Sequence, residues 1–102
     1  MPLDPENRQK MLLDGLKSST KEVLDNLKIT KLVFLNREYD LYKNVDNKLD
    51  FFLGIVFAQI MDRFTIFCIN KKIKLTPGER SKINRTLFSK ADEIKKVIEK
   101  RL

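Results

Sequence analysis

The sequence predicts an all-α fold, a small bundle of three to four helices that forms one domain over residues 1–102. Three observations favour this fold. A chain of 102 residues has the size of one domain. Glycine and proline number three each, so turn signals are few and long helices are favoured over many short strands. Apolar residues recur at spacings of three and four, which is typical of helices with one buried face.

The first helix is predicted to begin at Asp4-Pro5, because aspartate suits the N-cap and proline suits the first helical position. Ser19 and Glu22 match a capping box, which predicts that a second helix starts near residue 20 and runs to Tyr42. One long helix through the serines is the alternative. The pattern over residues 5–43 fits both arrangements.

The next helix, predicted at about residues 48–70, is the most apolar part of the chain. Apolar residues lie on all its sides, so we expect it to be buried at the centre of the bundle. A membrane span is less favoured, because Asp62 and Arg63 cost about 5–7 kcal/mol of insertion energy and cancel the gain from the apolar residues. Inside a bundle these two are expected to form a buried polar pair with groups of another helix. The candidate partners are Arg37, Glu38 and Asp40.

The clearest helix start lies at Thr76-Pro77-Gly78-Glu79, where a cap, a first-turn proline and a capping-box glutamate fall in register. A single helix is predicted to follow. Its apolar stripe consists of Ile83, Leu87, Ala91, Ile94, Val97 and Ile98.

Charge is distributed unevenly along the chain. Residues 1–70 are close to neutral, whereas residues 71–102 carry eleven bases and four acids, which accounts for the whole net charge of +7. A basic turn that leads into a helix start is typical of phosphate contact, because free amides and the helix dipole add to the side chains. The predicted nucleic-acid-binding residues are Lys71, Lys72, Lys74, Arg80, Lys82 and Arg85.

The same basic segment, residues 71–85, has a second interpretation as an ordinary solvated surface. Later in the chain, Asp92 and Lys96 stand four residues apart, which is typical of ion pairs along one helix. Both interpretations stay open at this point. Binding without reading base sequence is the form of nucleic-acid contact that we expect, because the six bases include no Asn or Gln and no paired arginines of the kind that read base edges.

Self-association is the first functional expectation. A chain this short cannot surround a helix that is apolar on every side, so a second copy is expected to cover it and to form a homodimer or higher oligomer. The expected interface residues are Phe51, Ile55, Phe57 and Met61. The chain is thus predicted to be a non-enzymatic interaction module. Nucleic-acid binding is the alternative, and membrane association is the second alternative.

Catalysis is not expected, and neither is a cofactor, a metal or a small-molecule substrate. The chain has no histidine, which is the commonest general base and metal ligand. Its only cysteine, Cys68, lies among apolar residues and is predicted to be a buried hydrophobe. Asp46 and Asp50 are four residues apart, but acids at a helix start suffice to explain them. The lone cysteine and the polar N-terminal residues favour a cytoplasmic location.

Overall fold

The computed structural model describes residues 4–31 and 46–101. Within these residues the chain forms helices and no strand. The predicted all-α class is therefore confirmed, and the apolar helix expected at about 48–70 is found at those bounds. The helices are α1 (Pro5–Asp25), α2 (Lys48–Asn70), α3 (Pro77–Ser89) and α4 (Ala91–Arg101), and residues 27–31 are also helical.

Helix α1 begins as predicted, with Asp4 accepting a hydrogen bond of 2.9 Å from the backbone N–H of Asn7. It continues through the serines, so the predicted boundary there is wrong and the alternative of one helix holds as far as Asp25. Ser19 is buried and donates to the carbonyl of Gly15 at 2.8 Å, so its hydroxyl does not cap a new helix. The break comes instead at Asn26.

Helix α2 is capped by Asn47, which accepts from the backbone N–H of Asp50 at 3.0 Å. It ends in a Schellman motif. The N–H of Ile73 donates to the carbonyl of Cys68 at 2.8 Å, and the N–H of Lys72 donates to that of Ile69 at 3.0 Å. Lys72 has a φ of 56°, at the position that glycine usually occupies. The α2–α3 turn is therefore built on a left-handed lysine.

Helix α3 starts with the predicted capping box between Thr76 and Glu79, and both of its hydrogen bonds are present. The single helix predicted after it is wrong, because α3 ends at Ser89 and α4 starts at Ala91. At the break, the N–H of Lys90 donates to the carbonyl of Leu87 at 3.0 Å and tightens the last turn. The apolar stripe survives, and its buried members are Ile83, Leu87, Ile94 and Ile98.

Helices α1 and α2 pack against each other in antiparallel directions. Gly15 lies against Phe67, whereas Glu22, further along α1, lies beside Arg63, which is earlier in α2. Helix α4 packs on α2, and α3 packs on α1 and α4. The shared core includes Cys68, as predicted, and its buried members are Leu12, Leu16, Val23, Leu27, Phe52, Val56, Ile60, Phe64, Cys68, Ile83, Leu87, Ile94 and Ile98.

The molecule is elongated. Its principal extents are 50 × 24 × 23 Å and its radius of gyration is 15.2 Å. A compact domain of this length has a radius of gyration of about 13 Å. An elongated bundle leaves more of each helix uncovered than a compact one does.

Candidate functional site

Two faces of α2 have opposite surroundings. The inner face repeats every four residues and is buried in the core, and it consists of Phe52, Val56, Ile60, Phe64 and Cys68. The outer face is exposed over its whole length, and it consists of Gly54, Ala58, Asp62, Thr65, Ile66 and Ile69. Among the described residues α1 and α4 cover the inner side of α2, so the prediction that this helix is buried on every side is wrong for the described part of the single chain.

The outer face carries the polar residues Asp62 and Thr65 beside exposed apolar ones. Ile66 is 48% exposed and Ile69 is 67% exposed. Among the described residues, no atom lies within 4 Å of the place where a Cβ on Gly54 would stand. The face is thus open at Gly54 and protrudes at the two isoleucines.

The four residues predicted as the self-association interface, Phe51, Ile55, Phe57 and Met61, are half-buried in the chain. Phe57 and Met61 pack against the core. The ring of Phe57 meets that of Phe88 edge-on, with centroids 5.3 Å apart. The most accessible apolar residues of α2 are thus the two isoleucines of the outer face, Ile66 and Ile69. The apolar residues on the other sides of the helical wheel concealed them in the sequence.

Asp62 and Arg63 do not form the predicted buried pair in the single chain, because both are exposed. Arg63 does reach another helix, where its guanidinium lies 3.5 Å from the carboxylate of Glu22. The predicted partners Arg37, Glu38 and Asp40 lie outside the described residues. Both α2 charges remain in water, where they avoid the cost of burial that motivated the prediction.

Length and composition also make Lys48–Asn70 able to cross a membrane, and it is the one helix among the described residues that passes this test. Its best 18-residue window has a mean hydropathy of 1.7, and 28% of that window is buried in the protein. Core helices of water-soluble proteins pass the same test, but they are mostly buried. This helix differs from them because most of its window is uncovered.

Arg8 anchors the turn that follows α2. Its guanidinium makes two hydrogen bonds to the carboxylate of Glu79, at 2.6 and 2.9 Å, and a third to the carbonyl of Lys74 at 2.9 Å. Glu79 in turn accepts from the N–H of Thr76 at 2.9 Å. The hydrogen bonds from Arg8, and then that from Thr76, lower the pKa of Glu79 to about 2. The turn is thus fixed to α1 by a charge pair that sequence spacing does not reveal.

The six predicted phosphate-binding residues are all exposed. The structure places Lys71, Lys72 and Lys74 in the α2–α3 turn and the other three on α3. Lys82 and Arg85 are close to one helical turn apart, whereas Arg80 lies about 160° around the helix from Lys82. The six therefore form a turn cluster and a two-residue outer patch on α3, with Arg80 apart from both.

These six bases differ in their partners from Lys95 and Arg101, two of the bases nearer the C-terminus. Within the described residues, no carboxylate forms an ion pair with any of the six. In contrast, Lys95 lies 2.7 Å from Asp50 and Arg101 lies 3.3 Å from Asp25. The one acid between positions 71 and 91 is Glu79, which Arg8 already holds. The positive charge of residues 71–85 is therefore not offset locally.

The side chains that could support acid–base or metal chemistry are either buried, paired with another charge or far from one another. Burial raises the pKa of the Cys68 thiol, so the thiol stays protonated and unreactive at neutral pH. Asp50 binds Lys95, and its N–H is held by the Asn47 cap. In the part of the chain that the structure describes, no three metal-ligating side chains lie together.

Comparisons with known proteins give no relative for this chain. No family model, no curated protein and no solved structure matches it. The outer face of α2 and the basic segment of residues 71–85 are the two features of the chain that point to a function.

Proposed function

We propose that this protein is a non-enzymatic, self-associating helical module that uses the outer face of α2. The proposal extends the expected interface from the half-buried residues around Phe57 to the exposed residues from Gly54 to Ile69. Burial of apolar surface at such a contact supplies the free energy of association, because the exposed apolar residues leave water when a second copy covers them.

The observation that carries this proposal is the exposure of Ile66 and Ile69 on the outer face, and the total exposed surface of the chain is consistent with it. Its accessible area is 7494 Å². A folded monomer of 12.0 kDa exposes about 6,000 Å². The excess of about 1,500 Å² belongs to the whole surface, and the outer face contributes part of it. A second copy on the outer face would remove that part from water.

Light scattering coupled to gel filtration tests the proposal over micromolar concentrations. We expect a mass of two or more copies for the unmodified chain. Ala58→Glu places a charge on the outer face and should lower the mass to that of one copy. Ser18→Glu, on the exposed side of α1, is the matched control and should leave the mass unchanged.

A strictly monomeric mass for the unmodified chain overturns self-association. In that case flotation with vesicles decides the membrane alternative, because the same half-covered helix and flanking lysines suit a membrane surface. Binding to vesicles that Ala58→Glu abolishes would then assign the outer face to lipid instead of to a second copy.

Nucleic-acid binding without sequence preference is the second candidate function. The observation that favours it is that no carboxylate in the described part of the chain pairs with the six exposed bases, whereas Lys95 and Arg101 are paired. Unpaired bases keep their counterions and release them on contact with phosphate, which favours binding. The turn that carries three of the lysines is also anchored by Arg8, so less ordering entropy is lost on binding.

Titration of random duplex and single-stranded DNA at two salt concentrations tests this candidate. We expect dissociation constants of about 10⁻⁴–10⁻⁶ M at physiological salt, with little dependence on sequence. Arg85→Glu should weaken binding and reduce the salt slope by about one. Lys100→Glu is the control, because Lys100 is exposed and distant in sequence from the turn, whereas Lys95 is unsuitable since it holds Asp50. An equal loss of DNA affinity in Arg85→Glu and Lys100→Glu would mean that binding depends only on the net charge of the protein.

A further inference from the structure

We infer that α3 binds single-stranded nucleic acid through a contact that a duplex cannot make, with the ring of Phe88 stacking on a nucleobase and Arg85 holding a neighbouring phosphate. The inference rests on the second candidate function and names its substrate class. Three features of the described residues lead to it: an exposed aromatic ring, a second ring that fixes its position, and unpaired cationic side chains within one or two helical turns.

Phe88 differs from the other aromatic residues that the structure describes. It is 57% exposed, whereas the other described phenylalanines are buried or half-buried. A ring in water can stack on another flat ring, and the nucleobases of a single strand offer such faces. In a duplex the nucleobases are stacked on one another, so their faces are covered along its length. The ring of Phe88 therefore suits a single strand.

Phe57 of α2 holds the ring of Phe88 in place. The two ring centroids are 5.3 Å apart and the ring planes are at 83° to each other. Phe57 itself packs against the core. An edge-on contact of this kind covers at most one face of the Phe88 ring. A ring that is already positioned loses less side-chain entropy on stacking than a mobile one does, which favours binding.

Cationic side chains lie beside this ring. Arg85 precedes Phe88 by three residues on α3, so the two are neighbours on the helix surface with Cβ atoms about 5–6 Å apart. Lys82 lies close to one turn further towards the helix start. Both cations are exposed, and no carboxylate among the described residues pairs with either. The next acid along the chain, Asp92, follows the break between α3 and α4.

This combination of a flat ring and unpaired cations is the one that single-strand-binding surfaces use. The cations contact the phosphates, and the ring stacks on a nucleobase whatever its identity, because every nucleobase has a flat face. Phosphate contact alone is available to single strands and duplexes alike. Stacking at Phe88 is therefore the part of the contact that distinguishes them.

A comparison of two strands and two proteins tests the stacking. The strands are a thymine homopolymer and an abasic strand of equal length, which have the same phosphates, but only the first has nucleobases. Phe88→Leu keeps an apolar side chain against Phe57 but removes the flat ring. We expect the unmodified chain to bind the thymine strand at least about five-fold more tightly than the abasic strand, and Phe88→Leu to bind both equally. Phe88→Trp should restore the preference, because tryptophan also offers a flat ring.

Duplex affinity and salt dependence separate stacking from charge. Phe88→Leu should bind duplex DNA as tightly as the unmodified chain does, and its salt slope on the thymine strand should be unchanged, because Phe88 contacts no phosphate. Arg85→Glu is the contrasting variant. It should weaken binding to both strands and to the duplex, and reduce the salt slope by about one.

The outcomes separate this inference from the function on which it rests. A chain that binds neither strand nor the duplex would remove the second candidate function and, with it, the inference. Equal affinity of the unmodified chain for the two strands, or a thymine preference that persists in Phe88→Leu, would overturn stacking at Phe88 while phosphate contact would stand. An equal loss of strand and duplex affinity in Phe88→Leu would also overturn it, because the ring would then support the fold of the surface instead of contacting a nucleobase.

Discussion

The inner face of α2 repeats an apolar residue every four positions and is fully covered, whereas the outer face carries two isoleucines, a glycine and an alanine that nothing described covers. Both faces belong to one helix of mean hydropathy 1.7 over its central window. Hydropathy therefore predicts how apolar a helix is, but burial depends on how many neighbours the chain can supply. A small bundle supplies α1 and α4 to α2, and this suffices for one side.

The largest expected effect contrasts two isoleucines of α2. Ile60 is fully buried on the inner face and Ile69 is 67% exposed on the outer face. Ile60→Ala should lower the free energy of unfolding by about 2–5 kcal/mol, because it removes packed methyl groups and leaves a cavity. Ile69→Ala should change it by less than about 0.5 kcal/mol. Urea unfolding at the lowest measurable protein concentration checks both, and equal costs would mean that the outer face is covered within the chain.

Low pH should destabilise the fold by protonating Glu79, whose carboxylate pairs with Arg8 and so joins α3 to α1. Its pKa falls from the ordinary 4.5 to about 2 in the fold, so the ionised form stabilises the protein above about pH 4.5. This contribution is lost as the pH falls from about 4.5 towards 2. Glu79→Gln should cost about 1–3 kcal/mol at pH 7, where it removes a charge-assisted pair.

Unfolding of the unmodified chain and of Glu79→Gln at a series of pH values measures the contribution of Glu79 to the free energy of unfolding. The difference between the unmodified chain and Glu79→Gln should shrink across that acid range and vanish near its lower end. Asp14→Asn is the control, since Asp14 is exposed on α1 and makes no ion pair among the described residues. A constant difference at every pH would mean that the Arg8 contact does not depend on the charge of Glu79.

Two glycines allow the same comparison on a smaller scale. A Cβ at Gly15 of α1 would stand 2.6 Å from Cδ1 of Phe67, whereas a Cβ at Gly54 meets nothing described. Gly15→Ala should therefore destabilise the chain by about 1–2 kcal/mol, because overpacking exceeds the gain in helix propensity. Gly54→Ala should stabilise it by about 0.5–1 kcal/mol. Thermal unfolding measures both changes. A loss of stability for Gly54→Ala in the monomer would show that the space beside Gly54 is occupied.

Features set by neighbouring residues were predictable from the sequence. The caps at Asp4 and Thr76, the bounds of α2 and the burial of Cys68 all follow from residue types within a few positions. The Arg8–Glu79 pair was not predictable, because 71 positions separate its members and the sequence is equally compatible with many other charge pairs. The capping pattern at Ser19 failed for a similar reason, since packing of α1 on α2 buries that serine.

The candidate site was predictable only in part. The basic segment is a feature of composition, so its residues were identified, but the separation of Arg80 from Lys82 depends on where α3 begins. The outer face was missed because it is defined by the side that α1 and α4 leave open. Asp62 and Thr65 lie on that side and were its signal in the sequence, but the many apolar residues around them outweighed it.

The smallest expected effect concerns Lys72, which ends α2 in the left-handed conformation at a φ of 56°. A non-glycine residue there costs about 1 kcal/mol, whereas glycine adopts this conformation without a Cβ clash. Lys72→Gly should therefore raise the free energy of unfolding by about 0.5–1 kcal/mol, after the larger entropy of the unfolded glycine chain is subtracted. Lys71→Gly is the matched control, because Lys71 has a φ of −88° and gains no such relief.

Both substitutions remove one positive charge from the α2–α3 turn, so the pair also separates stability from binding. Under the phosphate-binding candidate, each should reduce the salt slope of DNA binding by up to about one, while only Lys72→Gly becomes more stable. Urea unfolding and DNA titration on the same two proteins provide both measurements. Equal stability for the two variants would contradict the strain at Lys72, and unchanged DNA binding in both would remove the turn lysines from the phosphate-contacting surface.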